Sequence, residues 1–485
     1  MNRKVLFHIV GMNLTIVGLS MLIPALWSFY YGTEDLYALL ISFLITSSTG
    51  LFLYFFFKPG KKETEIRYKE GFAIVTFTWI LASLFGTLPF ILSGSIVNFA
   101  DALFESTSGF TTTGSTILEN IEALQPGILF WRSLTHWLGG MGILVLFIAI
   151  LSITGSGGLQ IYKAESTSLL DQKLRPRLSE TAKILWLTYV ILTASLVMFL
   201  LVGGMTFFDS LCHAFSTVAT GGFSTKNLSI GYYDSNYINW IITIFMFLSG
   251  INLVLYYPAY KNKNLKSFYN NSEFKLYSLI IGISVFFTTL VLYNYYPDSN
   301  LLTNFSDAAF HIISVITSTG FSTLDYDLWP EVLKVLLFTI MFIGGSTGST
   351  VGSIKIGRYL ILFKEAAQEI KKILHPKAVT KTKIGDKVIK DKMILNILQF
   401  FFLFMLIFII SAIIISFQRI DFITALTASA ASLTNVGPGL SMVGPIETYS
   451  HFNNFNKIYL SFLMLLGRLE LYTVLVLFNP GFWKR

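Results

Sequence analysis

Four short segments carry the residue types that could hold a cation stripped of its water. Residues 101–114 open on Asp101 and end Thr111-Thr112-Thr113-Gly114. Residues 209–222 open on Asp209 and end Ala219-Thr220-Gly221-Gly222. Residues 307–320 open on Asp307 and end Thr317-Ser318-Thr319-Gly320. Residues 424–437 open on Thr424 and end Thr434-Asn435-Val436-Gly437. Each opens on a residue type that caps helix N-termini. The same Gly-Phe-Ser-Thr follows on from Gly222 and from Gly320, which sets the second register at Gly222 and not Gly221. A dehydrated cation needs several converging oxygens, and rings of backbone carbonyls supply them. Glycine reaches backbone angles closed to other residues, so successive carbonyls can face one way. Thr and Ser add hydroxyl oxygens, and the C-terminal end of a short helix adds partial negative charge. One such cluster is an ordinary turn; four in matched register predict a cation-binding selectivity filter.

These segments need elements to position them. The chain has 485 residues, 53% hydrophobic and only 13% charged. Soluble domains carry roughly 25% charged residues, so the composition excludes a soluble multidomain enzyme, a disordered chain, a coiled coil and a nucleic-acid binder. Cys212 is the single cysteine, which excludes a disulfide framework. The aromatic share of 16% suits lipid-facing surfaces. Ten segments approach the about 20 apolar residues a spanning helix needs. They are 5–30, 36–57, 72–93, 128–153, 182–202, 237–257, 276–296, 332–360, 393–417 and 457–479. The first reads as a span and not as a removed signal.

Charge orders the connections. Basic residues gather between alternate spans: Lys58 to Lys69, Lys163 to Lys183, Lys261 to Lys275 and Lys364 to Lys392, with Arg3, Lys4, Lys484 and Arg485 at the ends. Asp101, Glu119, Asp209, Asp307, Asp325, Asp327 and Glu331 lie on the other side. The positive-inside rule then places both termini in the cytoplasm of a multi-pass protein.

The four segments each fall between two spans. About ten residues from cap to turn give roughly 15 Å of helix, too short to cross, so each should dip in and return. Non-helical backbone at that depth is tolerated only inside protein or beside a watery cavity. The expected fold is an all-α polytopic membrane protein with ten transmembrane helices. Four helix–pore-helix–filter-loop–helix repeats surround a pore, beside an N-terminal helix pair. The expected boundaries are 1–62 for the pair and 63–155, 178–262, 272–371 and 388–485 for the repeats, the third with a broken inner helix.

The chain resembles the Trk/Ktr/HKT superfamily of potassium transporters, and most of all the TrkH-type membrane subunits of bacterial Trk potassium-uptake systems. The resemblance rests on the four turns, on Trp137-Leu138-Gly139-Gly140-Met141-Gly142, on Gly437-Pro438-Gly439-Leu440 and on Gly467-Arg468-Leu469-Glu470-Leu471. It implies potassium as the transported ion, rubidium as a permeant analogue, and the bacterial cytoplasmic (inner) membrane. It also implies a homodimer with one pore per protomer and a TrkA-like cytoplasmic nucleotide-binding regulatory subunit. In related plant transporters a serine at the first filter position goes with sodium transport, so Gly114 favours potassium. All four turns depart from the TVGYG of potassium channels, which implies looser selectivity.

Two features read as gates. Arg468 lies within the last span, where a charge costs at least about 2.5–3.5 kcal/mol and needs a cavity or a partner. It reads as a fixed positive barrier below the filter, a role the resemblance also implies. Glu470 is the obvious ion-pair partner, but two positions apart is not one helix face. The run Gly344-Gly345-Ser346-Thr347-Gly348-Ser349-Thr350-Val351-Gly352-Ser353 is too poor in helix propensity for a lipid-facing helix. It reads as an intramembrane gating loop, with Lys355 adding charge. Gly139, Gly140 and Gly250 are packing glycines or hinges. His213 and His311 occupy equivalent positions and read as packing or hydrogen-bonding residues and not metal ligands, since no second ligand is spaced for one. No Walker motif or GxGxxG is present, so nucleotide binding belongs to a partner; the basic 364–392 segment is either cytoplasmic charge near lipid headgroups or, as the resemblance implies, the docking surface for that partner. No organic cofactor is expected. HExxH and other catalytic sets are missing from the sequence, so an enzyme is not expected. A transporter coupling potassium to sodium or protons is the alternative function.

Overall fold

The computed structural model describes residues 1–60, 68–142, 178–376, 381–384 and 387–484. The second half of the 128–153 segment lies outside these residues, as do Lys61, Lys62, Arg67, Lys163, Lys173, Arg175, Arg177 and Arg485.

Among the described residues, six helices are long and apolar enough to cross a membrane: Arg3–Tyr31, Asp35–Phe56, Lys69–Leu92, Ala182–Val202, Ser272–Tyr295 and Asp391–Ser416. Two further stretches qualify only as bent pairs. Asn236–Ser249 meets Leu253–Lys261 at 93°, and Asn454–Arg468 meets Tyr472–Phe478 at 111°. The segment expected at 332–360 divides into Glu331–Met341 and the start of Ile356–Leu374, with non-helical backbone between. The segment expected from 128 is described as Pro126–Gly140. Hydropathy counts apolar residues but does not register where a helix stops, so ten equal spans become straight helices and interrupted ones. A two-stranded antiparallel ladder, Lys383–Ile384 with Lys387–Val388, follows the third unit.

Each unit has an outer helix, a short buried helix, a turn and an inner helix. The short helices are Phe99–Phe110, Phe207–Val218, Leu301–Ile316 and Phe422–Thr434. Their caps are Asn98, Thr206, Asn300 and Asp421, whose side chains accept from the N–H groups of Ala100, Asp209, Leu302 and Thr424. These caps lie upstream of those expected at Asp101, Asp209, Asp307 and Thr424. The acids have other work: Asp101 pairs with Lys457 at 2.6 Å, and Asp209 sits in the first turn, where negative charge favours the helix dipole.

Two apolar cores hold the units. One joins the N-terminal helices to the first and fourth units, and the other joins the second and third. In the N-terminal pair a Cβ on Gly11 would lie 2.6 Å from Gly50 O, so the helices meet backbone to backbone. Asp35 then ties this pair to the first inner helix. Its Oδ2 accepts the Ile128 N–H at 3.1 Å, and its own N–H donates to Gln125 Oε1 at 2.7 Å. Leu26, Phe29, Phe52, Phe56, Phe286 and Phe402 stay exposed, as a surface facing lipid requires.

Candidate functional site

All four short helices end the same way. The second turn residue takes left-handed angles in each unit: Thr112 (φ 54°), Thr220 (φ 55°), Ser318 (φ 48°) and Asn435 (φ 56°). The next N–H reaches back to a helix carbonyl: Thr113 to Ser108 O (2.9 Å), Gly221 to Ser216 O (2.8 Å), Thr319 to Ser314 O (2.9 Å) and Val436 to Ala431 O (3.0 Å). This is a Schellman ending. Left-handed angles are uncommon for non-glycine residues, and here four fall in one register. The glycines that follow have φ of 83°, 84°, 78° and 98°.

The glycines close a ring. A Cβ on Gly114 would lie 2.1 Å from Gly221 O, and one on Gly222 would lie 1.9 Å from Thr319 O. A Cβ on Gly320 would lie 2.3 Å from Val436 O, and one on Gly437 would lie 2.5 Å from Thr113 O. Each glycine therefore faces the third-position carbonyl of the next unit, and the fourth returns to the first. All the turn residues named from sequence fall in this ring. Thr111, Ala219, Thr317 and Thr434 are buried at its base, and the four glycines border one cavity of about 100 Å³ that Glu119, Lys226 and Glu447 also line. Side chains break the fourfold pattern. Thr111 bonds Thr113 (2.7 Å) and Thr317 bonds Thr319 (2.8 Å), while Gly221 and Val436 have no hydroxyl at that place. Asn435 Nδ2 donates instead to Thr113 Oγ1 at 2.9 Å.

Beneath the ring lies the glycine-rich segment of the third unit. Ser318 Oγ accepts the Gly352 N–H at 2.8 Å, and Thr220 Oγ1 lies 3.4 Å from Thr350 Oγ1. A Cβ on Gly352 would lie 2.6 Å from Thr434 O. The segment thus packs against the second, third and fourth turns. Other members face away from the ring. The Ser346 N–H donates to Gly250 O (2.9 Å), the Thr347 N–H to Glu273 Oε2 (2.8 Å), and Gly348 O accepts from Leu253 (3.2 Å). Gly344 and Gly345 close the base of the loop through Ile354 O and the Ile356 N–H, Ser349 Oγ bonds Ser346 O, and Lys355 Nζ bonds Val351 O.

Arg468 bonds the loop. Its Nη1 donates to Thr350 O at 2.8 Å, and its Nη2 to Gly139 O and Gly140 O at 2.8 and 3.1 Å. The guanidinium also lies 5.9 Å from the Trp79 ring. It therefore joins the loop to the C-terminal end of the first inner helix, where positive charge is favourable. Glu470 lies past the bend and pairs with Arg358. Gly139 and Gly467 are close-approach residues: a Cβ on either would lie within 2.0 Å of Phe110 O or Leu433 O. Gly140 and Gly250 are also crowded, a Cβ on them lying 2.7 Å from Ala219 and 2.2 Å from the Tyr277 hydroxyl.

Three residues behind the ring escape the sequence reading. His136 Nδ1 donates to Gly109 O (2.8 Å) and its Nε2 accepts the Phe223 N–H (3.2 Å), so it bridges the first and second units. Glu105 and Arg132 form a fully buried ion pair at 2.8 Å. Charged residues within apolar stretches were the available signal. Among the described residues, no group of three His, Cys, Asp or Glu could hold a metal ion.

A helical chain with several helices long and apolar enough to cross a membrane, and four like turns closing one ring, defines a class of polytopic membrane protein. Residues 37–484 match the family model described as TrkH, cation transport protein, and the chain belongs to that family. It is 40% identical to the Trk system potassium uptake protein TrkH of Escherichia coli (strain K12), over the whole of both chains. It is 33% identical to the Trk system potassium uptake protein TrkG of the same organism, over 99% of each. The crystal structure of the potassium transporter TrkH from Vibrio parahaemolyticus superposes with a TM-score of 0.89 at 34% identity, covering both chains completely.

Proposed function

We propose that this chain takes up potassium across the bacterial cytoplasmic membrane through a gated pore. The observation that carries this reading is the closed ring of glycines and carbonyls, joined by the full-length likeness to proteins named for potassium uptake. Thr111 to Gly114, Ala219 to Gly222, Thr317 to Gly320 and Thr434 to Gly437 act as the selectivity filter. Their carbonyls replace water around a potassium or rubidium ion. Residues 344–353, Lys355 and Arg468 act as the gate. The loop fills the path under the ring, and the arginine adds a positive barrier to a cation.

In this reading the four repeats are functional units of one pore, both termini are cytoplasmic, and two protomers assemble with one pore each. The helix Ile356–Leu374 continues the loop and leads into the basic 364–392 segment. That continuity supports control by a cytoplasmic nucleotide-binding subunit, which would move the helix and with it the loop.

Flux in proteoliposomes holding the purified chain tests the reading. Potassium and rubidium should move down their gradients faster than sodium and lithium. Flux that runs only with a sodium or proton gradient would replace the pore by the coupled transporter.

A further inference from the structure

Each turn is followed by a strap that folds back along its own short helix, and a side chain of that helix holds the strap. The holding position is equivalent in three units: Glu105, His213 and His311. His213 Nε2 meets Ser224 Oγ at 2.9 Å, and His311 Nε2 accepts the Thr323 N–H at 3.4 Å. In the fourth unit that position is Ala428, and its neighbour Thr427 accepts the Leu440 N–H at 3.2 Å. At this position the first unit alone has a carboxylate, although Asp209 on the second short helix also accepts the Thr225 hydroxyl at 2.6 Å. Glu105 accepts the Ile117 N–H at 3.1 Å, and the Thr116 hydroxyl lies 3.0 Å from both its oxygens.

That carboxylate is paired with Arg132, and neither side chain exceeds 1% exposure. Arg132 also reaches the second unit: its Nη1 donates to Ser224 O at 3.1 Å, and its guanidinium lies 4.1 Å from the Phe223 ring centroid. One ion pair therefore grips the exits of two adjacent turns, beside Gly114 and Gly222. Burying two charges is a poor way to gain stability, since apolar replacements are often neutral or better. Charge-assisted bonds from a planar fork do fix geometry.

We infer that Glu105 and Arg132 are a positioning pair that sets the carbonyls of the first and second turns, and through them the cation preference of the ring. This rests on the reading of the ring as a filter. The third and fourth turns, whose own short helices hold the strap through His311 and Thr427 without an ion pair, form its more yielding side.

The test uses the full chain in proteoliposomes and reads the sodium-to-potassium flux ratio. The double variant Glu105→Gln with Arg132→Met removes both charges and leaves neither orphaned. It should raise the ratio several-fold. Arg132→Lys keeps the charge but lacks the fork that reaches Glu105 and Ser224 together, and should fall between wild type and the double variant. Glu105→Asp keeps the charge but draws the carboxylate back from Ile117, and should raise the ratio as well. A wild-type ratio in monodisperse Arg132→Lys and Glu105→Asp overturns the inference, even if the double variant does not fold. Gly320→Ser in the same assay separates the two readings. If it leaves flux and preference at wild type, the filter reading fails. If it alters them while the pair variants do not, only the positioning role falls.

Discussion

The outer ends of the four units follow one rule, while their inner ends follow four. Above, each short helix finishes in the same left-handed residue, the same backward bond and the same glycine against a neighbour's carbonyl. Below, the described part of one inner helix stops at Gly140, one bends by 93°, one opens into a loop and one bends by 111° after Arg468. The physical demands differ. In the proposed pore, holding a bare ion asks for equivalent oxygens around an axis, so every unit is constrained alike. In the same reading, blocking the path asks for one obstruction, and symmetric copies of it would collide. The third unit supplies the loop, the fourth supplies the arginine, and the first and second supply carbonyls that hold them.

The largest effect should come from breaking the common rule. In Gly222→Ala the new Cβ would lie 1.9 Å from Thr319 O at a φ of 84°, where only backbone can give way. Strain of this kind costs about 1–3 kcal/mol, and it falls on a ring carbonyl. Potassium flux in proteoliposomes should drop to background, and alanine at Gly114, Gly320 or Gly437 should do the same. A fully active alanine variant at any one would show that the four turns are not equivalent. Next comes Arg468→Ala, which removes three bonds from a charged donor. Such bonds contribute about 1.5–3 kcal/mol each, so unstimulated flux should rise on the order of tenfold or more, with the potassium-to-sodium ratio unchanged. An altered ratio at wild-type flux would place the arginine in the outer half's function. The smallest effect belongs to the contact between halves. Ser318→Ala removes the acceptor of the Gly352 N–H, a bond contributing about 1 kcal/mol. A rise in unstimulated flux of a few-fold is expected, and a fall would mean that the loop supports the ring and does not block beneath it.

The common rule was legible in the sequence because it is written in residue types. Only glycine suits the fourth turn position, and the shared Gly-Phe-Ser-Thr fixed the register that the ring reproduces. Helix starts were less legible: Asp101, Asp209 and Asp307 look like caps, yet Asn98, Thr206 and Asn300 do the capping. The loop at 344–353 announces itself by its glycines. The bend after Ser249 is marked only by Gly250, which reads equally as a packing glycine, because apolar residues flank it on both sides and periodicity passes straight through. Arg468 stood out as a charge in a span, but its partners are backbone carbonyls of residues 139, 140 and 350, which carry no side-chain signal. Glu105 and Arg132 went unread, because their pairing depends on how a short helix lies against the next one.

The closure between Gly437 and Thr113 has a consequence for biosynthesis. Ser115 Oγ bonds Gly437 O across a separation of 322 residues. At roughly 5–20 residues per second, the first turn waits on the order of half a minute for the segment that seals it. Throughout that interval the units already made stand with an unsealed side. In the proposed reading, a nascent chain of this kind has no finished pore through which to leak ions until its fourth unit has been translated.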